Sequence, residues 1–416
     1  MRRFSIGDFR LAITEGRVWI VGLLGLGLLT LTATAEAAAT YYVATTGNDA
    51  NPGTQAQPFL TLGQGVRGLT PGDTLYVRGG TYTAGSQLGS IPNGTSWAAP
   101  VTIAAYPGER PTLTSDSPDW QVIWLDNRRY IIFEGLVLDG TGASDCVKID
   151  TTSDHIRIQN SELMHSPYQG ILTAKAAGSN EFLNLKIHDN GFGDYAGINN
   201  LYEMHIESSD NLIDGCEVYR NGSTGIVLYY TLGLTVNNNI VRNTKIYNNG
   251  AGSYRRGVGL AIHQGTGNIA YNNIIWGNTQ GGISSQYNVS DTKFYNDTIY
   301  ANGAPGNTLG GIYVGSGSSD ATVKNNIVYQ NTGGDIASDG SSTTLSTNLT
   351  TDPKFVDAAA NDFHLQPTSP AIDAGLSLSE VTADIERTPR PQGSGYDLGA
   401  YEFRINQLLP DGGHEQ

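Results

Sequence analysis

Six short phrases decide the fold of this chain: Ile187-His-Asp-Asn-Gly191, Val218-Tyr-Arg-Asn-Gly222, Ile246-Tyr-Asn-Asn-Gly250, Ile275-Trp-Gly-Asn-Thr279, Ile299-Tyr-Ala-Asn-Gly303 and Val328-Tyr-Gln-Asn-Thr332. Three residues before each aliphatic stands Asn184, Gly215, Asn243, Asn272, Asn296 or Asn325, and Leu163 with Asn160 extends the series toward the amino end. From Asn160 to Asn325 the spacings are 24, 31, 28, 29, 24 and 29 residues. Between them falls a second phrase, glycine then aliphatic, at Gly170, Gly225, Gly259, Gly282 and Gly311. Self-similarity at such a period marks a repeat architecture.

Each period holds several apolar runs of three to five residues, too short for the i, i+3, i+4 stripes of a helical repeat. A chain that closes one circuit per period stacks each Ile or Val on its counterpart about 4.8 Å along an axis. An Asn recurring in one turn can then bond its side-chain amide to the next, making a polar ladder inside the stack. Such neighbour-only contacts define a solenoid. The reading is therefore all-β, a parallel β-helix of roughly ten circuits over residues 73–350.

Composition agrees. The 416 residues include 53 Gly and 22 Tyr, only 15% are charged, and the net charge is −15. So acidic a chain lacks the basic stripe that nucleic acid requires, which removes that class of partner. At the amino end, Arg2, Arg3, Arg10 and Arg17 precede an apolar run from Val18 to Leu31 and small-residue triplets ending at Ala39. This is the layout of a secretory signal over residues 1–39. The alternative is an uncleaved anchor, but the run falls short of the roughly 20 residues a spanning helix needs. The expectation is an exported protein, extracellular, periplasmic or on the cell surface, monomeric and free of the membrane once the signal is removed.

Alternation along the strands fixes an outward column. With Ile171, Ile226, Leu260, Ile283 and Ile312 inward, the outward positions are Lys148 and Asp150, Leu172 and Ala174, His205 and Glu207, Val227 and Tyr229, Ala261 and His263, Ser284 and Gln286, then Tyr313. His205, Tyr229 and His263 thus fall on three consecutive circuits. Long connections enter beside them: residues 191–201 with Tyr195, and residues 250–257 with Tyr254, Arg255 and Arg256. The structural alternative for any one of these is a solvated or stacked surface side chain. For Tyr219, Tyr247, Tyr300 and Tyr329, which belong to the repeat itself, stacking is the expected role. Cys146 and Cys216 lie two circuits apart, about 9–10 Å along the axis, farther than a disulfide spans; two unpaired, buried thiols are expected.

These residues resemble the right-handed parallel β-helix proteins of the pectate-lyase-like superfamily. The opening from Tyr41 through Gln57-Pro-Phe-Leu-Thr-Leu62 is similar to the amino-terminal cap of secreted members, here residues 40–72, with a short helix over residues 58–69 weakened by Gly63, Gly65 and Gly68. Asp352-Pro-Lys-Phe-Val-Asp357, Asp362-Phe-His-Leu365, Ser369 to Gly375 and Asp397 to Glu402 resemble a terminal module sometimes associated with surface anchoring. Read bottom-up, residues 351–405 cap the helix, with acidic side chains satisfying turn backbones, and residues 406–416 form a polar tail.

The resemblance implies a carbohydrate partner, a polysaccharide or cell-envelope glycan, and β-elimination on a uronate polymer as the leading activity. That reaction needs a base, an acid for the leaving oxygen and positive charge for the enolate. His205 or His263 can serve as base, Tyr229 as acid, and Arg255 or Arg256 as carboxylate clamp, with Glu207, Tyr254 and Tyr195 contacting substrate. Lys148 or Lys175 is the second candidate base, since related lyases use a lysine supported by calcium. No adjacent Asp pair stands near either lysine, and no Asp-Pro-His-Asp epimerase motif is present. The alternative is a non-catalytic carbohydrate-binding or envelope protein. Glycoside hydrolysis by Asp150 and Glu207, whose two-circuit separation fits a carboxylate pair, stands third.

Overall fold

The computed structural model describes residues 12–14, 17–19, 37–150, 152–174, 177–193, 202–229, 236–252, 257–306 and 309–404. Ala12–Thr14 and Arg17–Trp19 form a small antiparallel pair in an amino-terminal unit of its own, Met1–Ala38. The second unit, Ala39–Gln416, contains the coil.

Among the described residues the coil is built from three parallel sheets. The first has twelve strands, from Thr40–Val43 to Thr344–Ser346; the second has ten, from Thr81–Thr83 to Ile327–Tyr329; the third runs from Ile123–Asp126 to Ile336–Ser338. Each strand pairs with the one a circuit earlier, as Leu163↔Ile187, Ile187↔Val218 and Val218↔Ile246 show for the second sheet. The repeated aliphatics are inward, and they are fully buried. In the earliest circuit a 3₁₀ segment, Gly85–Ser90, with buried Leu88, stands where the third sheet has not yet begun. The amino-terminal helix is only Leu62–Val66, capped by the Thr61 side chain. It is as short as its glycines dictate, and Gly65 lets Leu75 and Val43 approach within 2.7 Å of where a Cβ would stand.

The turns explain the repeated phrases. Asn160, Asn184, Asn243, Asn272, Asn296 and Asn325 all have left-handed φ, and Gly215 takes the same conformation at the one position where the series lacks Asn. The neighbouring polar residues form three internal ladders. In one, Asn190, Asn221, Asn249, Asn278, Asn302 and Asn331 are buried, and each Nδ2 donates to the next Oδ1 at 2.9–3.3 Å. Asn180, Asn211, Asn239 and Asn268 make the second ladder. Each glycine of the second phrase sits at the corner beside a ladder: a Cβ on Gly225 would lie 2.7 Å from Ile246 Cγ2 and 3.1 Å from Asn249 Nδ2.

The third ladder carries an exception. Between Asn273 and Asn326 the rung is Asp297, fully buried, whose Oδ1 accepts from the Asn273 backbone and side chain at 2.8 and 2.9 Å. Its Oδ2 has no partner. An amide there would always donate along the ladder, whereas a carboxyl has a donor only while it is protonated. Burial pushes the Asp297 carboxyl up to about 8, so it is held as the neutral acid.

The carboxyl-terminal module lies elsewhere than over the last circuit. It packs along the side of the coil, with Phe355, Phe363, Leu365 and Leu398 against the outward Ile274 and Ile327 of the second sheet. Asn272, Asn296 and Asn325, the left-handed turn residues, donate their Nδ2 groups to Ala383 O, Asp397 O and Leu376 O at 2.7–2.9 Å. The placement follows from chemistry the repeat already provides, a line of amides flanked by outward aliphatics. The module's Asp residues do hold turn backbones: Asp384 accepts from the amides of Glu386, Thr388 and Glu402. Inside it, Arg390 and Glu402 form a fully buried ion pair at 2.6 Å. Cys146 and Cys216 are buried, unpaired thiols, raised to about 12 by burial.

Two outcomes are expected from chemical denaturation. Asn249→Ala strands ladder donors and acceptors on both sides and costs about 1–3 kcal/mol. Asp297→Asn supplies a donor that needs no proton uptake and stabilises the fold at and above pH 8 by a similar amount. The folded carboxyl lies above its unfolded value of 3.8. Its stabilising contribution is therefore complete below about pH 4 and lost as pH rises through about 8. Asp297→Asn should abolish that portion of the pH dependence; an unchanged profile would contradict the neutral rung.

Candidate functional site

The outward column on the third sheet is continuous. Lys148, Leu172, His205, Val227, Ala261, Ser284 and Tyr313 pair rung by rung. Two residues along, Glu207, Tyr229 and His263 follow the same strands. The structure therefore brings together His205, Glu207, Tyr229 and His263. It leaves Lys148 two circuits away, its Nζ 3.3 Å from Asp150 Oδ2. Lys175, Tyr195, Tyr254, Arg255 and Arg256 lie outside the described residues.

The two histidines stand in different environments. His205 is only 6% exposed, and its Nε2 lies 3.1 Å from the Tyr229 carbonyl and 3.5 Å from Glu207 Oε1. A carbonyl only accepts, so Nε2 carries the hydrogen. Burial pulls the imidazole down to about 4, leaving it neutral. His263 is half-buried, its Nε2 3.3 Å from Ser284 Oγ. The rings of Tyr229 and Tyr287 meet the His263 ring edge-on, with centroids 5.8 and 5.0 Å away, and Tyr287 is well exposed. Between the histidines, the outward Val227 and Ala261 are buried against Val258, Tyr229 and Leu309. The face is therefore sealed at its centre, while Tyr229 and His263 are half-buried and Tyr287 is exposed.

One acid here escaped the sequence reading. Glu203, two residues before His205, is fully buried; its Oε1 accepts from the Ser223 amide at 3.0 Å. Oε2 and the Ser223 hydroxyl are both buried without partners, and burial raises the carboxyl to about 8. Glu203 shares the outward parity of His205 and Glu207, where a charged side chain reads as solvated. Its position just after a long connection was the available signal.

Among the described residues no three His, Cys, Asp or Glu side chains converge as metal ligands. Of the two lysines proposed as a calcium-supported base, Lys148 is engaged by Asp150, and Lys175 lies outside the described residues. Of the repeat tyrosines, Tyr219 and Tyr247 lie parallel, 4.9 Å apart, and Tyr247 stacks on Trp276 at 4.2 Å, whereas Tyr300 and Tyr329 are tilted by 37° at 6.3 Å and Tyr300 meets Phe355 edge-on.

With this geometry in place, comparisons locate the chain among known proteins. A family model described as Pel9A-like, right handed beta helix region, matches residues 41–199, and one described as right handed beta helix region matches residues 197–350. The chain is a pectate-lyase-like right-handed parallel β-helix protein. It is 28% identical over 258 residues to pectate lyase PEL9 of Emericella nidulans, an alignment covering 62% of this chain and 52% of that protein. The chain thus spans about half the length of that relative. The crystal structure of pectate lyase Pel9A superposes with a TM-score of 0.67 at 19% identity, covering 88% of this chain and 96% of that one. A complex of XylC with xylose superposes at 0.53 and 11% identity, covering 72% and 69%. At these identities the structural matches speak to the fold. No described helix is long and apolar enough to cross a membrane.

The contrast between the histidines is measurable. His205 should keep the NMR signature of a neutral Nε2–H imidazole down to about pH 4. Its folded value is depressed below the 6.5 of a free imidazole, so its contribution to stability is present above about pH 6.5 and lost as pH falls toward 4. A ring titrating near 6.5 would contradict this.

Proposed function

We propose that this protein is an exported, monomeric, carbohydrate-active enzyme that cleaves an acidic polysaccharide by β-elimination on the open edge of the third sheet. The observation that carries the reading is the accessible His263 flanked by Tyr229 and Tyr287, beside a buried, neutral His205. The similarity to a protein named as a pectate lyase supports the substrate class.

In this reading His263 is the base. Its imidazole takes the proton α to the uronate carboxyl, the electron pair forms the ring double bond, and the glycosidic carbon–oxygen bond breaks. The Tyr229 hydroxyl gives its proton to the leaving oxygen. His205 does not exchange a proton: its Nε2–H holds the Tyr229 carbonyl and so fixes the backbone that carries the acid. Arg255 or Arg256 would clamp the carboxylate, and Tyr195 and Tyr254 would contact substrate. The net charge of −15 repels a polyanion. Calcium in solution would screen that repulsion as a counter-ion.

The test is ultraviolet absorbance of the unsaturated product on a panel of acidic polysaccharides, with calcium and with a chelator. His263→Ala should lower kcat/KM by about 10²–10⁴-fold and Tyr229→Phe comparably. His205→Asn should fall less, and activity should persist with chelator. A flat trace across the panel would refute elimination and favour a carbohydrate-binding or envelope role. Full activity in His263→Ala would move the site.

A further inference from the structure

On the outer face of the first sheet, far along the chain from the histidines, an aromatic column stops one rung short. Tyr42 pairs with Tyr76, Tyr76 with Ala104, and Ala104 with Glu134, on four consecutive strands. Tyr42 and Tyr76 pack ring on ring, with centroids 5.8 Å apart and planes inclined by 32°. The next rung offers only the methyl of Ala104. Tyr106 stands edge-on to Tyr76 at 5.9 Å and 80°, closing one side. The result is a cleft of about 480 Å³ whose lining includes Tyr76, Thr102, Ala104, Tyr106, Glu134 and Asn160.

The geometry points to this vacant rung as a binding site for a neutral sugar unit of a polysaccharide, stacked on Tyr76 above Ala104. Rungs are about 4.8 Å apart, so the slot between the Tyr76 ring and Glu134 is about 9–10 Å with a single methyl in it. One stacked ring fits such a gap, as Tyr247 fits beside Tyr219 at 4.9 Å. In this cleft the Ala104 methyl, only 5% exposed, is the floor and Tyr106 stands edge-on beside Tyr76, so a sugar's C–H face can pack against the Tyr76 ring that lines it.

The polar groups select the class of sugar. Glu109 is committed to Arg78, whose Nε and Nη2 both donate to it, and the Arg78 guanidinium lies 4.5 Å over the Tyr106 ring. Glu134 is the carboxylate left facing the slot, with the Asn160 amide 3.2 Å from its Oε1. A carboxylate accepts from hydroxyls and repels a uronate. The cleft is therefore matched to a neutral pyranose. It lies on a different sheet from the proposed elimination site and does not depend on that reading.

The test is calorimetric titration of the full chain with galactohexaose, xylohexaose and a galacturonate hexamer. A neutral hexasaccharide should bind the wild type. Tyr76→Ala, which removes the platform, and Ala104→Tyr, which fills the rung, should each weaken binding by about tenfold or more. Glu134→Gln should weaken it less, and His263→Ala not at all. If Tyr76→Ala loses its fold by circular dichroism, Ala104→Tyr still decides. The proposal is overturned if no neutral probe binds, if Ala104→Tyr binds as the wild type does, or if the galacturonate hexamer is the preferred ligand lost in Ala104→Tyr.

Discussion

The side-chain amide ladder is the interaction on which this structure depends. A coil turning its backbone inward at three corners per circuit buries peptide groups that no strand can satisfy. At each corner an asparagine fills both needs, accepting with Oδ1 from the circuit before and donating with Nδ2 to the circuit after. Because each bond polarises the next, the column holds circuits at a fixed separation while aliphatic stacking supplies the bulk of the burial. Rigid spacing of outward side chains, and with it any site on the surface, follows from that inner column.

Much of this could be read from residue order. The left-handed Asn and the inward aliphatic recur at one spacing, and strand alternation then assigns every outward position. That is why His205, Tyr229 and His263 were placed on successive circuits without a structure. What escaped depends on contacts remote in sequence. His205 and Glu203 have outward parity, yet both are buried, and parity says nothing about what covers a face. Asp297 reads as ordinary variation in an Asn-rich turn until its rung shows a buried carboxyl with an unpartnered Oδ2. The side-on docking of the terminal module joins residues about a hundred positions apart, such as Asn296 and Asp397.

The same face thus mixes two kinds of residue. His205, Val227 and Ala261 serve as covered structure, whereas His263, Tyr229 and Tyr287 form an accessible edge. Burial separates the two imidazoles by protonation behaviour as well as by position. A face of this kind permits chemistry without asking every polar side chain on it to take part.

The terminal module has a mechanical consequence. A stack coupled only between neighbours frays from its ends, since the outermost circuit is held from one side alone. Here a strap of about fifty residues is clipped first to Asn325, then to Asn272 and then to Asn296, and Arg387 reaches back to Asp214 at 2.9 Å. Peeling the last circuit therefore means lifting a clasp that also grips circuits far inside the stack. The carboxyl half of the coil is tied into one cooperative block, and its weakest point shifts from the terminus toward the amino-terminal circuits the strap does not reach.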